Sequence, residues 1–289
     1  MTLRTRLLLL YLRTKFKILS ALSKKKAAEA AFTLFCTPPG RHSPPLPGLF
    51  QKAEPVQFNF DDLPIRGFFW KSSGKGLVLI VHGFQSSSVN FEAQISSLLQ
   101  AGHHVMAFDA PAHGASGGRL INALLYSDFL VDCEKRFGPF DAVIAHSLGG
   151  LAIGLALEKW PVSPLPALVL IAPAVETSTA LDQHFALLRI TDQKVRQAFE
   201  DVIVDRGGHG AEWFSLRRLL TQFSTALLWF HDEDDSITPM KDAERVWEMS
   251  LPFIEVVRTK GLGHRRIYRD PSVIKRATEF CTAQIERRS

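Results

Sequence analysis

Ala142-Val-Ile-Ala-His146-Ser147-Leu-Gly-Gly150-Leu-Ala-Ile-Gly-Leu-Ala-Leu-Glu-Lys159 is the stretch that decides the fold. Ala142–Ala145 is a short apolar run of the kind expected for a strand buried on both faces. Leu148–Lys159 reads as a helix. Ser147 stands on the turn between them. A residue on so sharp a strand-to-helix turn takes strained backbone angles, and its neighbours at minus two and plus two must be small. Here they are Ala145 and Gly149. Such a turn lifts the hydroxyl clear of the sheet and aims a helix N-terminus at it, with free amides and a positive dipole end. A small-x-Ser-x-Gly string alone is common; between a strand run and a helix it is far more specific.

Outward from this stretch the same alternation repeats. Apolar runs fall at Leu77–Val81, Val105–Phe108, Ala167–Ile171, Ala226–Phe230 and Phe253–Val257, with helical patterns at Phe91–Leu99, Leu120–Phe137, Lys241–Met249 and Pro271–Glu286. Val56–Phe60 and Ile65–Trp70, with Leu63-Pro64 between them, read as an antiparallel edge hairpin. This predicts βαβ units and a mostly parallel sheet with right-handed crossovers. Sites in such sheets lie beyond the carboxyl ends of the strands. Standing there are His82-Gly83-Phe84, Asp109…His113-Gly114-Ala-Ser116, His146-Ser147, His231-Asp232-Glu233-Asp234-Asp235 and Gly261-Leu-Gly263-His264. A serine, a set of acids and a histidine thus follow strands in that chain order. An unassisted serine hydroxyl needs an adjacent base to become a nucleophile, and His264 fits that need.

With these turns in place, residues 55–286 resemble the α/β-hydrolase superfamily, and most closely its bacterial serine hydrolases of the monoacylglycerol-lipase and S33-peptidase type. The resemblance implies an α/β-hydrolase fold: a mostly parallel eight-stranded sheet flanked by helices, with a small helical cap. It implies Ser147 as nucleophile and His264 as base. Of the four clustered acids, Asp235 matches the family's acid because Pro239 follows four residues later; Asp234 is the alternative, and the remaining acids read as a solvated turn. It implies an oxyanion hole from the backbone N–H groups of Leu148 and Phe84. Two positions depart from the family: Ala145 and Asp232 each stand where glycine is usual. Asp109 and Ser116 read as a structural turn, and His113, His146 and His231 as turn-shaping residues behind the triad. Gln85 and Ser86–Ser88 read as a polar loop.

Pro173 to Ser224 separates two strands by about fifty residues and carries helical patterns at Thr179–Leu188, Asp192–Val202 and Glu212–Leu220. The resemblance makes this the cap, an insertion at about residues 175–224 in a hydrolase domain of residues 50–289. Phe84, Phe185, Leu188, Trp213 and Phe214 are candidates for the substrate pocket; packing of the cap explains the same apolar residues equally well. Arg206-Gly-Gly-His209-Gly210 reads as a loop, and no Lys-Ser/Thr follows it as a phosphate-binding loop requires.

Residues 1–49 form a basic helical arm and proline-rich linker. Residues 1–52 hold ten Lys/Arg against one acid, Glu29, a net +9, while the remainder holds 24 basic and 28 acidic residues, a net −4. The body has no basic face for phosphates, which argues against a nucleic-acid-binding body, and no nucleic-acid partner is expected. The longest uncharged apolar run in the arm is Leu7–Leu12, too short for a membrane span or a signal peptide. Projected on a helix, Leu8, Leu9, Leu10 and Leu12 spread around the axis and basic residues fall on two sides. Two readings of residues 1–36 stay open: a helix packed on the body, or peripheral contact with an anionic membrane at its inner face. Three distant cysteines, Cys36, Cys133 and Cys281, argue against a disulfide framework and suit a reducing, cytoplasmic compartment. His103 and His104 are adjacent and so point to opposite faces of a strand. With no recognisable ligand spacing, neither metal nor cofactor is expected.

The functional expectation is a cofactor-free serine hydrolase acting on a small-molecule acyl ester through an acyl-enzyme. Thioester cleavage, or peptide and amide cleavage of the S33 type, uses the same triad; for a peptide amine Glu176, Asp182 and Glu200 are the candidate partners. A non-catalytic binding protein of this fold is the remaining alternative. The sequence does not specify an oligomeric state.

Overall fold

In the computed structural model, which describes residues 3–40, 45–74 and 76–288, eight strands form one sheet. They are β1 (Glu54–Phe60), β2 (Leu63–Trp70), β3 (Leu77–Val81), β4 (His104–Phe108), β5 (Ala142–His146), β6 (Ala167–Ile171), β7 (Leu227–Asp232) and β8 (Ile254–Thr259). Their order is β1-β2-β4-β3-β5-β6-β7-β8. β2 runs antiparallel to β1 and β4, and every other neighbouring pair is parallel. Among the middle strands, β5, β6 and β7 are buried along their whole length. That is why they read as unbroken apolar runs rather than alternating ones.

The edge hairpin differs from its sequence reading in one detail. Leu63 and Pro64 belong to β2, and the turn is Asp61-Asp62, both in the left-handed region with φ of 45° and 62°. Two positive φ values are what a two-residue hairpin turn matching strand twist requires, and Asp tolerates them better than most side chains. Pro64 is tolerated because β2 pairs with β4 only from Gly67 onward, so its missing N–H interrupts no inner ladder.

Helices Glu92–Gln100, Ala123–Phe137, Leu148–Leu157, Met240–Trp247 and Pro271–Glu286 flank the sheet. The expected helix over Leu120–Phe137 begins later, because Asn122 caps it by accepting the Leu125 N–H at 2.8 Å. Asp270 caps the last helix, with Pro271 at its first position. Cys133 and Cys281 are buried in these helices.

The chain divides into two compact units: residues 38–175 with 216–289, which hold the whole sheet, and residues 1–37 with 176–215. The boundaries differ from those read in the sequence. The N-terminal helices Leu3–Leu22 and Lys24–Cys36 do not form a separate arm; they share a unit with Thr177–Leu188 and Gln193–Gly207 from the cap segment. Ala27, Ala28 and Ala31 are fully buried and allow Lys24–Cys36 to approach closely. Phe32, Phe35 and Phe185 all pack on Phe199, with ring centroids 5.7, 6.1 and 5.2 Å away. His184 donates to the Ala31 carbonyl at 3.2 Å, and burial lowers its pKa to about 4, so it is neutral at pH 7. Lys24 pairs with Asp192. The third expected cap helix, Glu212–Leu220, is divided: a 3₁₀ turn at Ala211–Trp213 belongs to the helical unit, and a short helix at Leu216–Leu219 to the sheet unit. Between them Ser215 bridges Glu176 where the chain passes from one unit to the other. Arg41 and Pro44, counted in the basic segment and the linker, lie outside the described residues.

Candidate active site

Ser147 follows β5 directly, with φ 56° and ψ −124°. This region is costly for a non-glycine residue and persists only where the surroundings impose it. The surroundings here are tight. A Cβ on Gly149 would lie 2.7 Å from the His82 carbonyl oxygen, and one on Gly83 would lie 2.7 Å from the Ser147 Cβ. The serine turn and the turn after β3 are therefore in backbone-to-backbone contact, and both glycines are required by that approach. It brings Gly83 against the Ser147 side chain. Leu148 begins the helix, so its N–H has no acceptor within the helix.

His264 lies in the short helix after β8 and accepts the Ser147 Oγ–H at Nε2, 2.9 Å away. Its Nδ1–H is shared between Asp235 Oδ2 at 2.8 Å and Thr238 Oγ1 at 3.1 Å. The Asp235 side chain is wholly buried. Its other oxygen accepts the Ile237 and Thr238 N–H groups at 2.8 and 2.9 Å, and the Thr238 hydroxyl donates to Oδ2 at 2.8 Å. Burial alone would raise its pKa. The His264 hydrogen bond and charge, with the Thr238 bonds, outweigh this and hold the carboxyl below the usual range. The structure thus brings Ser147, His264 and Asp235 into one hydrogen-bonded line. Asp234 is not in it: its carboxylate accepts the Gly261 N–H at 3.0 Å on the surface.

Asp232 was read as part of a solvated turn, and the structure corrects this. It is fully buried and accepts four hydrogen bonds: Asp234 N–H at 3.0 Å and Gly263 N–H at 2.8 Å on Oδ1, and Thr259 Oγ–H at 2.7 Å and Leu262 N–H at 3.0 Å on Oδ2. Burial penalises its charge, but these donors outweigh that and lower its pKa. Asp232 ties the end of β7 to the turn that carries His264. No local signal in the sequence marks this role, because the amides that bind the carboxylate, those of Leu262 and Gly263, lie about thirty residues later.

His146 adds a second tie. Its Nε2–H donates to the His264 carbonyl at 3.0 Å, and burial, with the neighbouring His264 charge, lowers its pKa to about 3. His231 holds the Thr238 carbonyl at 2.7 Å. His113 accepts the Gln85 N–H at 3.1 Å, while His82 accepts the Ala110 N–H at 3.0 Å. Asp109 receives the Ser88 N–H and hydroxyl and the Ala115 N–H, and Ser116 bonds the Asp109 carbonyl, building the turn after β4. Ser88 is thereby committed to structure. His104 accepts the Ser72 N–H, and His103 meets Thr282. Among the described residues no group of three or more His, Cys, Asp or Glu is arranged to hold a metal ion.

Of the candidate pocket residues, half-buried Phe84 lies in the sheet unit, its ring edge-on to His113 at 5.7 Å. Phe185, Leu188, Trp213 and Phe214 lie in the helical unit. There Phe185 and Leu188 are buried, and Trp213 stacks on His209 at 4.1 Å with Phe214 edge-on to it. Asp182 and Glu200 both bind the Arg196 guanidinium, at 2.7 and 3.0 Å.

A family model described as serine aminopeptidase, S33, matches residues 72–210. Methyl jasmonate esterase 1 of Vitis vinifera is 33% identical over 88 residues, which cover 29% of this chain and 34% of that protein. Methylesterase 9 of Arabidopsis thaliana is 38% identical over 69 residues, covering 22% of this chain and 27% of that protein. The matched segments thus span about a third or less of these two relatives. Among solved structures, an esterase of Pyrococcus furiosus superposes with a TM-score of 0.64 at 16% identity, covering 87% of this chain and 98% of that one. A monoacylglycerol lipase of Paleococcus ferrophilus gives 0.59 at 22% identity, covering 76% and 99%. With the strand order, the strained serine after β5 and these likenesses together, the chain has the α/β-hydrolase fold.

Proposed function

We propose that the protein is a serine hydrolase acting on carboxylic esters, with Ser147 as nucleophile, His264 as general base and acid, and Asp235 as the group that orients and stabilises the imidazolium. The supporting observation is the continuous line from Ser147 Oγ to His264 Nε2 at 2.9 Å and from His264 Nδ1 to Asp235 Oδ2 at 2.8 Å. In this reading Ser147 Oγ attacks the ester carbonyl as its proton passes to His264 Nε2. The tetrahedral oxyanion rests on the N–H groups of Leu148 and Phe84. The alcohol leaves with the proton from His264, giving an acyl-serine. Water, deprotonated by the same imidazole, then releases the acid. The esterases and the lipase among the similar proteins make an ester the first substrate class to test.

Amide cleavage is the second reading, favoured by the serine aminopeptidase description of the matching family model. Against it, two of the three acids available for a substrate amine, Asp182 and Glu200, are already paired with Arg196. The test is labelling by a fluorophosphonate of the wild type, Ser147→Ala and His264→Ala, followed by p-nitrophenyl esters of increasing chain length, acyl-thioesters and aminoacyl-naphthylamides. Labelling of the wild type alone, with turnover of the oxygen esters, is the expected result. A folded wild type that does not label would refute the nucleophile assignment and leave a binding protein. Turnover of naphthylamides or thioesters in preference to esters would reverse the substrate choice.

A further inference from the structure

The N-terminal helix Leu3–Leu22 is apolar on two opposite faces, and only one of them is used. Phe16 is buried within the helical unit, and Leu9, Leu12 and Leu19 on the same face are half-buried. Arg13, at the edge of that face, donates to the Leu187 carbonyl at 3.1 Å. The opposite face carries Leu3, Leu7, Leu10, Tyr11, Ile18 and Leu22, each more than half exposed. At about 100° per residue these six fall in one continuous stripe. Exposed Arg6 and Lys17 flank it on one side and Lys15 on the other, with Lys25 and Lys26 exposed just beyond its end. No Asp or Glu occurs in residues 1–28. No helix of the described residues is long and apolar enough to cross a membrane.

We propose that this stripe docks the protein on an anionic lipid surface, with the helix lying in the interface plane. Its chemistry matches that occupant. Leucines and a tyrosine face outward where water gains nothing from them, and the rim is cationic on both sides without a compensating acid. A helix held by one apolar face and offering a second, bordered by Lys and Arg, suits the boundary between headgroups and acyl chains. The basic rim is attracted to anionic headgroups within a Debye length. A protein partner for so uniformly basic a rim needs an acidic groove, and a second copy brings the same positive charge against itself. The inference is independent of the hydrolase reading, since no residue in it belongs to the candidate active site.

The test is sedimentation of the full chain with vesicles of phosphatidylcholine alone and of phosphatidylcholine with 30 mol% phosphatidylglycerol, a proportion chosen as about that of an anionic cytoplasmic leaflet. The wild type is expected to bind the anionic vesicles and release in high salt. Leu7→Gln/Leu10→Gln is expected to lower partitioning by about tenfold per leucine. Arg6→Gln/Lys15→Gln/Lys17→Gln is expected to remove the preference for anionic lipid. All five positions are exposed, so the thermal unfolding of both variants should match the wild type, and Ser147 labelling should be unchanged. Equal binding by wild type and leucine variant, or none by the wild type, overturns the proposal. A wild-type dimer that the leucine variant converts to monomer, without vesicle binding, overturns it in favour of self-association. Vesicle binding with no Ser147 labelling leaves the membrane inference standing and removes only the hydrolase reading.

Discussion

Replacing Asp232 by alanine isolates what the serine–histidine–acid line owes to its support. The change strands four donors. Two are cheaply lost: the Asp234 N–H sits at an exposed residue and can take water, and the Thr259 hydroxyl has the His231 carbonyl 3.5 Å away as a second acceptor. The Leu262 and Gly263 N–H groups are half-buried and pointed at the lost carboxylate. At about 1–2 kcal/mol for each stranded donor, the loss is about 3 kcal/mol of folding stability. Asp234→Ala, which removes one surface acceptor for Gly261, should cost about 0.5 kcal/mol or less. The functional effect is larger than the structural one. Gly263 precedes His264, so freeing its amide lets the imidazole drift from Ser147, and a displacement of about 1 Å costs about 100-fold in rate. The assay is urea unfolding followed by tryptophan fluorescence, paired with the rate of fluorophosphonate labelling in folded protein at low urea. Both should fall in Asp232→Ala, and Asp232→Asn, which keeps one acceptor oxygen, should lie between. Asp232 is also held below the usual carboxylate range, so its contribution is intact above its unfolded pKa of about 4 and is lost as pH falls through the lower folded value. Wild type should therefore lose acid stability that Asp232→Ala no longer has to lose. Unchanged labelling in a destabilised Asp232→Ala would refute the positioning role; unchanged stability would refute the hydrogen-bond account itself.

Ser147→Gly should be about 1 kcal/mol more stable than wild type, because glycine accepts φ 56° without strain, and should not label; a less stable variant would show that the turn stores no backbone strain. Gly83→Ala should lose about 1–3 kcal/mol and label about 100-fold more slowly, since its Cβ would stand 2.7 Å from the Ser147 Cβ and push the Phe84 amide away; wild-type labelling would exclude that amide from the oxyanion site. His146, buried with a pKa of about 3, stays neutral while the unfolded chain takes up a proton near pH 6.5. Stability should thus fall as pH drops from about 6.5 towards 3, by up to about 1.4 kcal/mol per unit, and His146→Leu should flatten that slope in urea titrations at successive pH values.

Much of the sheet unit was legible because its cues are local. A strand buried on both faces has to be an apolar run, and the residue after it has to sit at the carboxyl edge, so β5 and β7 could be read with the serine and the acids that follow them. The strained turn at Ser147 was legible from the small residues two positions either side. Asp232 was not, because its meaning depends on amides thirty residues later. Its neighbours in sequence, Glu233 and Asp234, are exposed, and nothing local separates the three. The division of the expected Glu212–Leu220 helix was equally invisible: apolar spacing runs through Ser215, and the bridge to Glu176 that interrupts it comes from 39 residues earlier.

By itself the sequence determined the strand–helix alternation, the turn at Ser147, the chain order of serine, acid and histidine, and the concentration of positive charge in the first 52 residues. These follow from periodicity, side-chain size and charge, which need no partner to be read. Tertiary structure alone decided what the N-terminal helices pack against, which face of Leu3–Leu22 is left to solvent, and that Asp232 is buried as the acceptor for the turn that carries His264. Those outcomes depend on which distant groups satisfy a buried surface or a buried charge. A helix apolar on two opposite faces looks evenly apolar in sequence; only the packing of Phe16 and its neighbours decides which stripe is core and which is surface.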